Sequence, residues 1–145
     1  MEISIKSVTD DELILEGYGV VFDAHDFHGE KFEKDTEFFL ENVKAIPVLW
    51  EHNRRESADI LGYAKHVRTD DLGIVFEMAL QRSNRYVGLV EKFVKMGRLG
   101  LSTGALPQTI VRDDDSKSVK RWQICEISAT VEPAEFRTLG VNELS

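Results

Sequence analysis

The chain has a single cysteine, Cys125, and only three prolines in 145 residues. One thiol cannot form an internal disulfide, so no covalent staple holds the fold, and the composition agrees with a reducing compartment. No apolar stretch approaches the roughly 20 residues that cross a bilayer as a helix. The opening, MEISIKSVTDDE, has no apolar signal core, so the chain reads as cytosolic, with no membrane partner. Positive charge is also short. Eighteen Lys and Arg against 26 Asp and Glu leave a formal net charge of −8, which argues against a phosphate-backbone binder and makes nucleic acid a poor partner. Internal repeats and Pro- or Gly-rich linkers are missing too, and the length suits one domain spanning 1–145. What is present suffices for a core: 42% of residues are hydrophobic, which disfavours disorder.

The pattern of those residues is mainly that of strands. Ile3 and Ile5, then Leu13 and Leu15, alternate with polar residues around the turn-forming Thr9-Asp10-Asp11, which predicts a hairpin. Its second strand continues through Gly17-Tyr18-Gly19-Val20-Val21-Phe22, where the glycines point to a bulge or a close backbone neighbour. Residues 60–68 and 73–80 predict a second hairpin across Thr69 to Leu72. A short helix is expected over Thr36 to Val43, capped by Asp35 or Thr36. A longer one follows Ser83, with Tyr86, Val87, Val90, Phe93 and Val94 as its apolar stripe and Gly97 as its terminator. A last strand is expected over Val119 to Val131, with Trp122, Ile124, Glu126 and Ser128 on one face and Cys125, Ile127 and Ala129 on the other. The fold class is α+β: a mainly antiparallel β-barrel, closed or nearly so, with flanking helices.

Three residues form a constellation able to carry acyl transfer. Ser102 stands in Gly100-Leu101-Ser102-Thr103-Gly104, where small neighbours expose a hydroxyl and leave backbone N–H groups nearby. His52 ends the apolar run Pro47-Val48-Leu49-Trp50-Glu51 where a polar loop begins, which suits a general base. Of the other histidines, His66 lies in an alternating segment and is expected to face solvent. Glu126, predicted on the inward strand face, is a carboxylate able to orient an imidazole. Each also has a plain structural reading, as a loop serine, a surface histidine and a carboxylate neutralising a buried arginine. The helix precedes the Gly-x-Ser-x-Gly stretch, which excludes the strand-to-helix elbow of α/β-hydrolases. A rival cluster, Asp23-Ala24-His25-Asp26-Phe27-His28, carries metal-ligand types but lacks a second distant pair, so it reads as a solvated loop. Cys125, among apolar neighbours, reads as packing.

The order and local wording of five motifs resemble the prohead, or head maturation, proteases of tailed bacteriophages. They are Gly17 to Asp23 with Asp26 to Phe32, Pro47 to Asn53, Leu61-Gly62-Tyr63, Gly97 to Gly104, and Trp122 to Ser128 through Glu132-Pro133-Ala134. The resemblance implies an assemblin-like fold and a serine endopeptidase whose triad maps to Ser102, His52 and Glu126, with Glu132 as the alternative third member. It implies as substrates the phage scaffolding protein and the scaffold-like segment of the major capsid protein, self-cleavage, and action inside the immature head in the bacterial cytoplasm. No cofactor or metal is implied, and a homo-oligomer is compatible with it. Backbone N–H groups near 102–104 or Arg98 are the candidate oxyanion donors. The competing reading is a catalytically inactive head-assembly or scaffold domain of the same fold.

Overall fold

A computed structural model describes residues 3–23, 29–42, 44–51, 60–115 and 117–131. Nine strands and one α-helix appear among them. β1 (Ser4–Val8) and β2 (Glu12–Val21) form the first expected hairpin, and β4 (Ile60–Thr69) and β5 (Gly73–Gln81) the second. Thr9 closes the first turn through its hydroxyl, and Asp70 caps the second by accepting from the N–H groups of Leu72 and Gly73. With β3 (Ile46–Trp50), β6 (Gly100–Ala105) and β9 (Ile124–Thr130) they make a seven-stranded sheet ordered β1-β2-β5-β4-β3-β9-β6. The antiparallel expectation holds for most of it. β3 and β9, however, run parallel, so the sheet is mixed.

The sheet curls until β2 faces β6. A Cβ placed on Gly17 would lie 3.5 Å from Leu101 Cδ1, and one on Gly19 would lie 3.6 Å from Thr103 Cγ2. Gly19 also sits under Phe76, whose ring such a Cβ would approach to 2.8 Å. The strand shifts register there, between Tyr18 and Val20, where the sequence suggested a bulge or a close neighbour. The result is a strongly curled half-barrel rather than a closed one. Its concave side is filled by Leu13, Leu15, Leu61, Phe76, Met78, Leu80, Leu101 and Ile127, all essentially inaccessible.

α1 (Val87–Lys95) covers one end of this core with Val87 and Val90. It ends as its sequence predicts: Gly97 adopts φ +66, its N–H reaches the Val94 carbonyl, and the Arg98 N–H reaches the Phe93 carbonyl. Its start differs. Tyr86 is the N-cap and Ser83 does not cap it, because a turn held by Asn84 Oδ1 on the Tyr86 N–H intervenes. Of the helix expected over Thr36 to Val43, the described residues up to Asn42 form one 3-10 turn, Leu40–Asn42, and Val43 lies outside them. Phe39 is left-handed there (φ +57), Phe38 turns into the core, and the Thr36 hydroxyl bonds the Val119 carbonyl across the molecule instead of capping. A second 3-10 turn spans Pro107–Thr109, so among the described residues the only flanking α-helix is α1.

The expected strand over Val119 to Val131 is two strands. β8 (Val119–Arg121) pairs with β7 (Val111–Arg112) in a separate ribbon. The chain breaks at Trp122, whose N–H bonds the Glu37 carbonyl, before β9 begins.

Candidate active site

β9 is the centre of the site because β3 and β6 flank it. Val48, Ile127 and Thr103 make one row across these strands, and Trp50, Ala129 and Leu101 another. Both rows face the core: Val48, Ile127, Ala129 and Leu101 are buried in it, and Trp50 packs against it. Side chains alternate along a strand, so the row between them, Leu49, Ser128 and Ser102, lies on the opposite face. Leu49 and Ser128 are fully buried there and Ser102 is half-buried.

Glu126 joins Ser102 on that opposite face because it alternates with the core-facing Ile127 and so shares the face of Ser128. Gly104 pairs with Glu126, but the next residue, Ala105, pairs with Ile124, so Cys125 is an extra residue on β9. The bulge inverts the alternation. Ile124 and Ile127 both enter the core, and Glu126 does not share the face of Trp122 and Ile124 as the sequence suggested. Its side chain instead lies across Gly104, where an added Cβ would meet Oε1 at 2.6 Å and Cγ at 2.7 Å. Ser102 is two residues away on the same strand and face. Cys125 is partly exposed rather than packed in the core.

His52 lies outside the described residues, and so does Glu132. The residue before His52 is well placed: Glu51 is left-handed (φ +52) and is tied to the end of β9. Its N–H bonds the Ala129 carbonyl at 3.1 Å, and its carboxylate accepts from the Thr130 hydroxyl at 2.6 Å and the Val131 N–H at 3.1 Å. Just upstream, the Trp50 ring stacks against Tyr86, the N-cap of α1, and Phe93 within it, each with centroids 6.2 Å apart. The strand that leads to position 52 is therefore fixed from both its core side and its end. Sequence reading missed Glu51, Ser128 and Thr130 as parts of this arrangement and took Gly104 only as a small neighbour of Ser102. Of the three missed, Glu51 alone carried a signal, as a charged residue between an apolar strand and a histidine.

From beneath, Trp122 holds β6. Its indole N–H donates to Thr103 Oγ1 at 3.1 Å, and its ring meets Phe32 edge-on at 5.0 Å. Arg98 is exposed. His66 is also exposed, as expected, with Nε2 2.9 Å from Thr69 Oγ1. Of the Asp23 to His28 cluster, only Asp23 is described. No group of three or more metal-ligand side chains occurs among the described residues, and none of their helices is long and apolar enough to cross a membrane.

A family model described as caudovirus prohead serine protease matches residues 1–141. The chain belongs to that family. Three solved chains match it in structure, among them the KSHV protease in complex with a hexapeptide phosphonate inhibitor. That likeness has a TM-score of 0.50 at 12% identity and covers 90% of this chain and 64% of the other. It shows an assemblin-like fold, and this family member spans under two thirds of the herpesvirus chain. A search of curated protein sequences gave no significant match.

Proposed function

We propose that the chain is a serine endopeptidase of prohead maturation, which cuts the phage scaffolding protein and the scaffold-like segment of the capsid protein and also cleaves itself. The observation that carries this is the placement of the Glu126 carboxylate over Gly104, two residues from Ser102 and on its face of the sheet. Family membership supplies the context. In the mechanism, Ser102 Oγ attacks the scissile carbonyl while His52 removes its proton and later delivers it to the leaving amine. Glu126 holds the imidazole and stabilises its charged form. Backbone N–H groups near 102–104 or the Arg98 guanidinium stabilise the oxyanion. Water then releases the acyl group by the same steps with His52 as base. No step requires a metal or cofactor.

Co-expression with the phage's scaffolding protein tests this reading. The native chain should convert the scaffold to fragments, while Ser102→Ala and His52→Ala leave it intact and remain folded. Cleavage by either variant would contradict the assignment. Intact scaffold beside the native chain would favour an inactive assembly domain.

A further inference from the structure

We infer that Gly104 is a positioning residue: the missing side chain is what lets the Glu126 carboxylate lie flat on β6 beside Ser102. The inference rests on the reading of Glu126 as the residue that orients His52. Glycine weakens a strand interior, so its presence in β6 calls for a reason. Backbone conformation is not that reason. Among the described residues only Gly29 and Gly97 are glycines with positive φ, and the backbone at Gly104 is open to any residue. Space is the reason. A Cβ at this position would stand 2.6 Å from Oε1, 2.7 Å from Cγ and 2.9 Å from Cδ of Glu126. Three atoms are met at once, so the whole end of the side chain, and not only its tip, occupies the volume of the absent methyl group.

The strand register completes the arrangement. The unbroken pairing from Gly100 with Thr130 to Gly104 with Glu126 sets Glu126 directly across from Gly104, and the bulge at Cys125 begins only beyond that pair. The obstructing atoms belong to a half-exposed, flexible side chain and not to backbone. An added methyl group would thus displace the carboxylate by roughly 1 Å and leave the strands in register, and a displacement of that size in a catalytic array costs about 100-fold in rate.

The test is a cycle of Gly104→Ala, Glu126→Ala and the double variant, with Ser102→Ala and His52→Ala as references. Each is assayed by kinetics on the purified scaffolding protein and by melting. Gly104→Ala should melt no lower than the native chain, lose about 100-fold in kcat and keep KM. The acid limb of its kcat/KM profile should move to lower pH, because an imidazolium deprived of its carboxylate gives up its proton more readily. In the Glu126→Ala background the same glycine change should cost nothing further. Native kcat in Gly104→Ala, an unfolded Gly104→Ala, or an equal loss in both backgrounds would overturn the inference. An active Glu126→Ala beside inactive Ser102 and His52 variants would overturn it together with the role of Glu126. Cleavage by Ser102→Ala would instead remove the protease reading on which it rests.

Discussion

Replacing Trp122 by Phe tests how the core supports β6. Trp122 is 8% exposed, lies edge-on to Phe32 and donates its indole N–H to Thr103, which stands between Ser102 and Gly104. Phe keeps a ring for the Phe32 contact but removes the pyrrole part of the indole. If that part buries on the order of 40 Å², its loss costs about 1 kcal/mol at 25 cal/mol per Å². A cavity contribution of similar size adds to this. The lost hydrogen bond adds about 0.5–1 kcal/mol, at the low end because the half-exposed Thr103 hydroxyl can turn to water. Trp122→Phe should therefore cost about 2–3 kcal/mol. Thr103→Val leaves the indole N–H without its acceptor in a buried setting and should cost about 1–3 kcal/mol. Once Phe is present, the same Thr103→Val change should cost almost nothing. Urea titrations of the two single variants and the double variant give the coupling directly, expected at about 1 kcal/mol or more. Additive costs would show that the Trp122–Thr103 bond does not hold β6.

Glu126→Gln should lower kcat by about 100- to 10,000-fold, since Gln cannot stabilise an imidazolium and its amide favours the wrong tautomer. The half-exposed side chain should meanwhile leave the melting temperature nearly unchanged, and a folded, inactive Glu132→Gln beside a fully active Glu126→Gln would transfer the role. At position 51, Glu51→Gly should be more stable than Glu51→Ala by about 1 kcal/mol in urea titration, because only Ala keeps a Cβ in the left-handed conformation. Tyr18 donates to Asp70 at 2.5 Å, a bond that holds the Asp70 carboxyl below its ordinary range and the phenol above its own. The carboxylate contribution is present above its unfolded value and lost as pH falls through the folded one; the phenol contribution is present below its unfolded value and lost as pH rises through the folded one. The stability gap between the native chain and Tyr18→Phe should thus be widest between about pH 4 and pH 10 and should narrow at both ends. A pH-independent gap would contradict that bond.

Where period two ran uninterrupted between turn residues, strands were legible in the sequence. Both hairpins and the Gly97 terminator follow from local chemistry that acts within a few residues. What misled the reading acts at long range. Phe38 and Thr36 serve the distant core and Val119, which overrides a local helical spacing. The bulge at Cys125 arises from the pairing of β9 with β6, and nothing in Ile124-Cys125-Glu126-Ile127 announces it. Glu126 was thus selected for an inward position that it does not hold, yet its alternation with Ser128 puts it on the face of Ser102. The parallel β3–β9 pair was hidden for a similar reason, since it joins segments nearly 80 residues apart. Gly104 was read as a small neighbour that exposes the Ser102 hydroxyl, and its use as empty space for a facing side chain became visible only with the strand register.

The central claim is that Ser102 is a nucleophile. The direct measurement is labelling of the native chain with a serine-reactive phosphonate, followed by peptide mass spectrometry. One adduct on Ser102 is expected, forming far more slowly in His52→Ala and absent in Ser102→Ala. An adduct on Ser128, the buried hydroxyl directly across the strand pair, or labelling unaffected by His52→Ala would contradict the account.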